Sequence, residues 1–203
     1  MKKNIYIIIL CLCFSASGYA QSINDIMNNI VAQYTKSGCF SADFSISSKQ
    51  FNTKGTIIMN SDKFRILSQD YKCWYDGKTQ WVYTPSMGEV GVIEPTLEEL
   101  EQSNPYLAVM SFKKHYAPSL KSQNNTSFQI LLNAIKKDSD IYQIELFVRK
   151  SDNKITKTIV LMRDGSIQTI SFSNYNDKEK ISANIFKFDK RLVPAGTQLN
   201  DLR

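Results

Sequence analysis

The sequence has 203 residues, of which 42% are hydrophobic and 22% charged, and its formal net charge is +6. This length suits one domain with a core of its own. The 25 basic residues are scattered along the chain without forming an arm or a stripe, which argues against a nucleic-acid-binding protein.

The chain begins MKKNIYIIILCLCFSASGYA, which has the three parts of a secretory signal peptide. A basic start precedes an apolar run over residues 5–14, and Gly18 and Ala20 supply small residues ahead of a cleavage site before Gln21. The run is shorter than the roughly 18–20 apolar residues that a membrane anchor needs. We therefore expect residues 1–20 to be removed on export.

The cysteines help to define the exported product. Cys11 and Cys13 each follow a leucine, whereas a lipoprotein signal has a small residue there, so we expect a soluble periplasmic protein. The remaining single domain, residues 21–203, has 23 basic and 19 acidic residues and a net charge of +4. In that oxidising compartment Cys39 and Cys73 either form a disulfide or remain two buried thiols, and two cysteines cannot form a disulfide scaffold.

The first element predicted after the signal is an amphipathic helix of about four turns. Ser22 is a suitable N-cap and Gly38 a suitable end. The apolar positions follow helical spacing and indicate a face that packs on a sheet; they are Ile23, Ile26, Met27, Ile30, Val31 and Tyr34.

Short runs with strand-like composition come next and predict an antiparallel meander, because turn residues separate them. In several of these runs apolar residues alternate with polar ones, as in a sheet with one buried face. The runs are 40–51, 55–60, 64–69, 71–75, 79–84 and 89–93.

Within the meander, the stretch CWYDGKTQWVY at 73–83 superficially resembles a phosphate-binding loop. Such a loop needs a glycine at position 72, where this chain has Lys72. Asp76-Gly77 instead predicts a two-residue hairpin turn in which Trp74 pairs with Thr79. This hairpin places Trp74, Trp81 and Tyr83 on one face of the sheet, and Tyr71, Tyr75 and Val82 on the other.

Residues 94–118 interrupt the strands with a predicted helical insertion. A capping box predicts a short helix over 97–102, and Asn104-Pro105 predicts the start of a second, with the segment ending at Pro118. The second helix contains YLAVMSF, which is apolar nearly all round. Such a helix must be buried on several sides or face something apolar.

Strand-like runs then resume to near the C-terminus, and a second two-residue turn is predicted at Asp164-Gly165. A sheet of about eleven strands curls. Its concave side is filled either by the helices, as an ordinary core, or by an apolar ligand. The tail after residue 188 is predicted to be irregular, and the five runs are 127–135, 141–149, 154–162, 166–173 and 180–188.

No constellation of catalytic residues is recognisable, so we predict a protein that is not an enzyme and has no metal or cofactor. The single histidine, His115, fits a surface position at a helix end, and no G-x-S-x-G elbow occurs. Zinc would need several closely spaced Cys or His. The clustered acids are better explained as favourable charges near a helix start; they are Glu94, Glu98, Glu99 and Glu101.

The order of these motifs resembles the periplasmic outer-membrane lipoprotein carrier family, the LolA-like proteins, over essentially all of 21–203. The resemblance implies an α+β fold with an incomplete β-barrel whose apolar concave face is covered by a helical lid. The matching pieces are the F-R-W-like strand at Phe64-Arg65-Ile66, the hairpin at 76–83, Asn104-Pro105-Tyr106-Leu107, Arg163-Asp164-Gly165-Ser166-Ile167, and the ending from Pro194 to Arg203.

Proteins of this family carry acylated lipoproteins from an inner-membrane releasing transporter to an outer-membrane acceptor, and a monomer is expected. In the closed state, lid and ligand would compete for one apolar surface. The expected cavity and lid residues are Phe44, Ile46, Met59, Phe64, Ile66, Trp81, Tyr83, Leu97, Leu100, Tyr106, Leu107 and Met110.

One departure from the family pattern affects this expectation. Family members often have an arginine in the turn before the F-R-W strand, which helps to hold the lid shut, whereas this turn reads Asn60-Ser61-Asp62. The chain is therefore expected either to control its lid differently or to bind another hydrophobic ligand as a sensor or binding module.

Overall fold

The computed structural model describes residues 21–97, 99–100, 107, 110–177 and 181–203. The predicted signal peptide lies outside the described residues. The strands are β1 Cys39–Ser47, β2 Asn52–Asn60, β3 Lys63–Ser68, β4 Lys72–Tyr75, β5 Gln80–Thr84, β6 Glu89–Ile93, β7 Tyr116–Gln123, β8 Ser127–Ala134, β9 Ile141–Arg149, β10 Ile155–Met162, β11 Ile167–Asn176 and β12 Gln198–Asp201.

These strands form one open, curved sheet in the order β12-β6-β5-β4-β3-β2-β1-β11-β10-β9-β8-β7. The strands β1 to β6 and β7 to β11 each form a run of antiparallel hairpins, and β1 joins the two runs by pairing with β11. The strands β6 and β7 are consecutive in the chain but lie towards opposite edges of the sheet. The chain between them, residues 94–115, must therefore cross the sheet, and we call it the crossing segment.

Helix α1 spans Ile23–Ser37 and begins as predicted, because the Ser22 hydroxyl accepts a hydrogen bond from the Asp25 N–H at 3.1 Å. It ends at Gly38, whose φ of 59° is a conformation that glycine adopts without strain. A short helix α2, Phe112–His115, leads from the crossing segment into β7. In the described part of the chain, no helix is both long and apolar enough to cross a bilayer.

The inner face of the sheet, defined as the face that packs against α1, carries the main core. Alternate residues of each strand point inward, so cross-strand partners form continuous rows. One row runs from Phe40 through Met59 and Phe64 to Tyr75. The other half of the sheet contributes a similar wall to the same core from Phe128, Ile130, Leu132, Leu146, Val148 and Ile155.

The opposite, outer face has a smaller core beneath the C-terminal segment, residues 183–193. Two 3₁₀ helices, Ala183–Phe186 and Lys190–Leu192, lie in this segment. Phe188 packs edge-on against Trp74 with ring centroids 5.4 Å apart. The Lys72 ammonium donates a hydrogen bond to the Leu192 carbonyl and so ties the segment to β4.

Three strand predictions need correction. The described part of the run predicted at 180–188, residues 181–188, is not a strand, because its apolar residues pack as a 3₁₀ turn over the outer face. The helical insertion was predicted to end at Pro118, but Tyr116 and Pro118 already belong to β7, which pairs with β8. Proline is tolerated there because β7 is an edge strand. The tail adds β12, parallel to β6, which brings the sheet to twelve described strands.

The hairpin between β4 and β5 is longer than predicted. Trp74 pairs with Trp81 instead of Thr79, because the turn has four residues, Asp76 to Thr79. The Asp76 carboxylate accepts hydrogen bonds from the Lys78 and Thr79 N–H groups, at 3.1 and 2.9 Å, which stabilises the wider turn. A register shift of two residues keeps each side chain on its predicted face.

The turn at Asp164-Gly165 is also longer than two residues. The Met162 N–H donates to the Ser166 carbonyl at 3.0 Å, so three residues form the loop. Gly165 has a φ of 82°, which suits the last residue of such a loop.

Candidate functional site

The candidate site is the apolar interior between the inner face of the sheet and the elements that cover it. Of the residues expected to line it, Phe44, Met59, Phe64 and Ile66 are buried in the main core, and Ile46 packs against its margin. They come together because β1, β2 and β3 are neighbouring strands and each of these side chains points to the inner face of the sheet.

Helix α1 forms most of the described cover. Ile26, Met27 and Ile30 are fully buried against the sheet. The sequence predicted that α1 packs on the sheet. It did not predict that α1 occupies part of the interior, which the family resemblance assigns to the ligand. Burying a large aliphatic side chain contributes about 1.5–3 kcal/mol, so displacing this helix would be costly.

The crossing segment contributes a second, smaller part of the cover. Leu100 is buried in the main core and Leu107 packs against it. Leu97, expected to fill the interior, is 62% exposed instead, because it lies at the start of the segment and faces solvent. Tyr106 lies outside the described residues. The capping box is confirmed, with Glu99 accepting a hydrogen bond from the Thr96 N–H at 2.7 Å.

Trp81 and Tyr83 do not line the interior. Both lie on the outer face, in the smaller core with Trp74, Val90 and Val92. The hairpin prediction placed Trp74, Trp81 and Tyr83 together correctly, but the sequence could not show which face is inward. Val82, between them, is the β5 residue that packs against the main core.

A cavity of about 280 Å³ separates the crossing segment from the neighbouring elements. Thr35 and Gly38 bound it at the end of α1, and the β2–β3 turn bounds it opposite Leu107 and Met110. This turn, Asn60-Ser61-Asp62, is the one that lacks the family arginine. The departure therefore lies directly beside the candidate lid residues.

The crossing segment is attached to α1 by weak polar contacts and one buried anchor. The Thr35 hydroxyl lies 3.8 Å from the Met110 sulfur, and the Lys113 ammonium donates to the Asn28 side-chain oxygen at 3.0 Å. Phe112 is buried in the main core. Because exposed polar contacts contribute little, Phe112 forms the firmest of these attachments.

Two tyrosines anchor the end of α1 to the sheet. The Ile155 N–H donates to the Tyr34 hydroxyl at 3.1 Å, and the Tyr175 hydroxyl donates to the Ile155 carbonyl at 2.6 Å. The two hydroxyls lie 3.3 Å apart, which closes a ring of hydrogen bonds. Burial raises the pKa of both phenols, so both remain protonated donors near neutral pH.

The inner face also contains a polar group at β4 and β5. The Gln80 side-chain amide donates to the Cys73 sulfur at 3.2 Å, and burial raises the pKa of that thiol to about 11.

The two cysteines of the described chain lie on different faces of the sheet, since Cys73 points inward on β4 and Cys39 points outward on β1. Three strand spacings of about 4.8 Å separate β1 from β4, so a disulfide between the two cysteines is excluded. Both are free thiols.

Sequence reasoning missed half of the interior wall. The residues of β8 and β9, such as Ile130 and Leu146, lie in the same core as the expected residues. Their alternation with polar neighbours could have identified them, but the pairing of β1 with β11 that brings both halves together leaves no local signal.

The described interior offers mainly apolar surface, with the Cys73 thiol as a buried exception. The described residues contain no cluster of three or more His, Cys, Asp or Glu that could hold a metal. An open curved sheet with an apolar, helix-covered inner face is suited to binding a hydrophobic molecule. The fold and the interior thus define a hydrophobic-ligand-binding protein of the α+β class.

Comparison with known proteins agrees with this class. The sequence profile of the family described as outer membrane lipoprotein carrier protein LolA matches residues 14–166, so the chain belongs to that family. The description of the family names it as one of lipoprotein carriers. No curated protein sequence matches the chain significantly.

Two solved structures show the same fold at low identity, and a third is compared after them by its sequence identity and coverage. An uncharacterised conserved protein from Thermus thermophilus has a TM-score of 0.61 and 10% identity, covering 89% of this chain and 99% of its own. MucB has a TM-score of 0.50 and 11% identity, with 83% of this chain and 63% of MucB covered. The LolA superfamily protein NE2245 from Nitrosomonas europaea has a TM-score of 0.45 and 12% identity, covering 82% and 98%.

Proposed function

We propose that this protein is a periplasmic carrier that binds the acyl chains of lipoproteins in its apolar interior and moves them from the inner to the outer membrane. Membership in the lipoprotein carrier family supports the proposal. The main supporting observation is which part of the chain covers the inner face. Leu100 and Leu107, which pack on the inner face, come from a segment that crosses the sheet and is not part of it.

A cover of this kind lets protein and ligand compete for the same surface. In the structure described here, the protein's own side chains fill the interior, with Met59 and Phe64 fully buried. Ligand binding would exchange burial against the crossing segment for burial against acyl chains. The binding free energy is then the difference between the free energies of these two apolar burials, and it is smaller than that of burying the acyl chains alone.

The magnitudes favour such an exchange. Each buried CH₂ contributes about 0.8 kcal/mol, so three fully buried fatty chains would contribute tens of kcal/mol. That exceeds the practical ceiling of roughly 20 kcal/mol for noncovalent binding, and a carrier with such affinity could not release its cargo. Competition from Leu100 and Leu107 would lower the net affinity to a range that permits transfer to an outer-membrane acceptor.

The test substitutes the two residues of the crossing segment that face the small cavity. We expect Leu107→Glu and Met110→Glu each to strengthen binding of a fluorescent fatty acyl lipid about tenfold or more, because the carboxylate destabilises the closed state, in which these side chains compete with the acyl chain. Circular dichroism should show an unchanged sheet. Met87→Glu is the matched control for Met110→Glu, since Met87 is 73% exposed in the β5–β6 turn.

If both lid variants bind lipid as the unmodified protein does, the crossing segment is not the lid. Transfer is tested separately, by measuring lipoprotein release from spheroplasts in the presence of the purified protein. A carrier releases lipoproteins into the soluble fraction. A protein that binds lipid but releases no lipoprotein is not a carrier.

A second candidate is a binding module or sensor for another hydrophobic ligand. It is favoured by the turn Asn60-Ser61-Asp62, which faces Leu107 across the small cavity without the family arginine. Native mass spectrometry of the protein with its co-purified ligand separates the candidates. An acylated peptide or lipoprotein supports the carrier, whereas a different lipid supports the binding module.

A further inference from the structure

A second cavity lies on the outer face of the sheet, away from the apolar interior. It measures about 750 Å³ and spans the four adjacent strands β11, β1, β2 and β3. Its volume falls within the range of about 300–1,000 Å³ that is usual for small-molecule sites. We call this cavity the trough, and it is separate from the interior that is proposed to bind acyl chains.

The trough follows from the sizes of its outward residues. In one cross-strand row, Ser45 pairs with Ser171 and Lys54. In the next, Asp43 pairs with Ser173 and Thr56. Four of these six side chains are serine or threonine, which keeps the surface low, and larger side chains form the borders.

The borders are built on both sides. Leu67 and Lys72 form one, and the Lys72 ammonium is held there by the Leu192 carbonyl. On the other side, the lining ends at Ser171 and Ser173 of β11. The Lys72 ammonium is thus a fixed positive charge on one border, and Lys54 supplies a second positive charge to the lining.

Gly55 permits the close approach of strands beneath the trough. A β-carbon added at Gly55 would lie 2.0 Å from the Leu67 carbonyl oxygen, so no other residue fits there without movement of the backbone. The glycine thereby allows β2 to bend tightly against β3 at the floor of the cavity.

The polar groups of the trough are available to a ligand. In the described part of the chain, Ser45, Lys54, Thr56, Ser171 and Ser173 make no side-chain hydrogen bond or ion pair with the protein. Asp43 accepts one hydrogen bond, from the Asn174 amide at 2.7 Å, and its carboxylate has further acceptor capacity.

We propose that this trough binds a phosphorylated polyol, meaning a phosphate ester that also carries free hydroxyl groups. Lys54 and Lys72 would contact the phosphate, since lysine pairs with phosphate as a point charge. The serines and Thr56 would exchange hydrogen bonds with the hydroxyls. Asp43 makes the site selective, because its carboxylate repels a bare anion but accepts hydrogen bonds from hydroxyl groups.

Such a group occurs both as a free metabolite and as a phospholipid headgroup, and two probes distinguish these sources. Glycerol 3-phosphate represents the free compound, and vesicles containing phosphatidylglycerol represent the lipid, with phosphatidylcholine vesicles for comparison. Binding of both probes indicates recognition of the headgroup alone. Binding restricted to phosphatidylglycerol vesicles identifies the membrane surface as the source.

The test uses titration calorimetry and vesicle co-sedimentation on the full protein at low ionic strength. We expect Lys54→Glu to weaken binding about fivefold or more, because it reverses a charge that lines the trough. Ser45→Trp should abolish binding by filling the cavity. Lys136→Glu, an exposed lysine in the β8–β9 loop, is the matched control and should change binding less than twofold.

Three outcomes would overturn the proposal. The first is absence of binding by glycerol 3-phosphate and by phosphatidylglycerol vesicles alike. The second is equal weakening by Lys54→Glu and Lys136→Glu, which would indicate attraction by overall charge only. The third is binding of inorganic phosphate as tight as that of glycerol 3-phosphate. Loading of acyl lipid in the interior is measured separately and does not enter these outcomes.

Discussion

At the scale of single residues, the ring of hydrogen bonds among Tyr34, Tyr175 and Ile155 is the most constrained polar feature of the interior. Each of its hydroxyls has partners, and the charged side chains of Arg149, Asp152 and Lys154 lie nearby. Buried polar groups cost little when they are satisfied and much when one partner is removed. The ring therefore fixes where α1 ends on the sheet.

We expect Tyr175→Phe to lower the free energy of unfolding by about 1–3 kcal/mol, because it leaves the Ile155 carbonyl without its donor. Urea denaturation followed by circular dichroism measures the change. Tyr142→Phe is the matched control, since Tyr142 is 40% exposed, and it should shift the midpoint little. Equal effects of the two substitutions would show that the ring does not stabilise the fold.

At the scale of elements, the C-terminal segment has a different role from the elements of the interior. It covers the outer face with Phe188, Leu192 and Val193 packed against the Trp74 core. Without it, the aromatic side chains of β4 and β5 would face water. The sheet is thus buried on both faces near β4, which explains why that strand has an unbroken buried pattern from Cys73 to Tyr75.

Phe188→Ala should shift tryptophan fluorescence to longer wavelength and lower the free energy of unfolding by about 1–3 kcal/mol, because it uncovers Trp74. Both tryptophans of the chain lie in this core, so emission reports on it directly. Phe51→Ala serves as the control, because Phe51 is 46% exposed in the β1–β2 turn. Unchanged emission would mean that the C-terminal segment does not shield the aromatic side chains.

At the scale of the whole molecule, the open sheet has two faces with separate chemistry. The inner face is apolar and covered by α1 and the crossing segment. The outer face is divided between the Trp74 core and the polar trough. The proposed carrier activity depends on exchange between the crossing segment and acyl chains on the inner face, so only part of the cover must move.

Hydrogen–deuterium exchange measured by mass spectrometry tests whether a ligand displaces the crossing segment from the inner face. On saturation with lysophosphatidylcholine, peptides containing Leu100 and Leu107 should exchange faster, because the ligand displaces them from the core. Peptides from β8 and β9 should exchange no faster than before. Lipid binding without faster exchange in the crossing segment would show that the ligand binds elsewhere.

Sequence reasoning predicted the local elements well because the signals for them are local. The cap at Ser22, the end at Gly38 and ten of the eleven strand-like runs were visible in the chain, and each corresponds to a feature of the structure. The hairpin faces were also predictable, since a shift of two residues preserves parity. The errors fell where packing overrides pattern, at Pro118 on an edge strand and in the run at 180–188.

The sequence alone determined which residues share a face, because strand and helix periodicity are properties of the backbone. Only the tertiary structure decided which face is inward. Trp81 and Tyr83 lie in the outer core. The residues of β8 and β9 complete the interior, because β1 pairs with β11. Long-range strand pairing and the choice of cover depend on the total area buried by the whole chain, and no short stretch of sequence encodes that quantity.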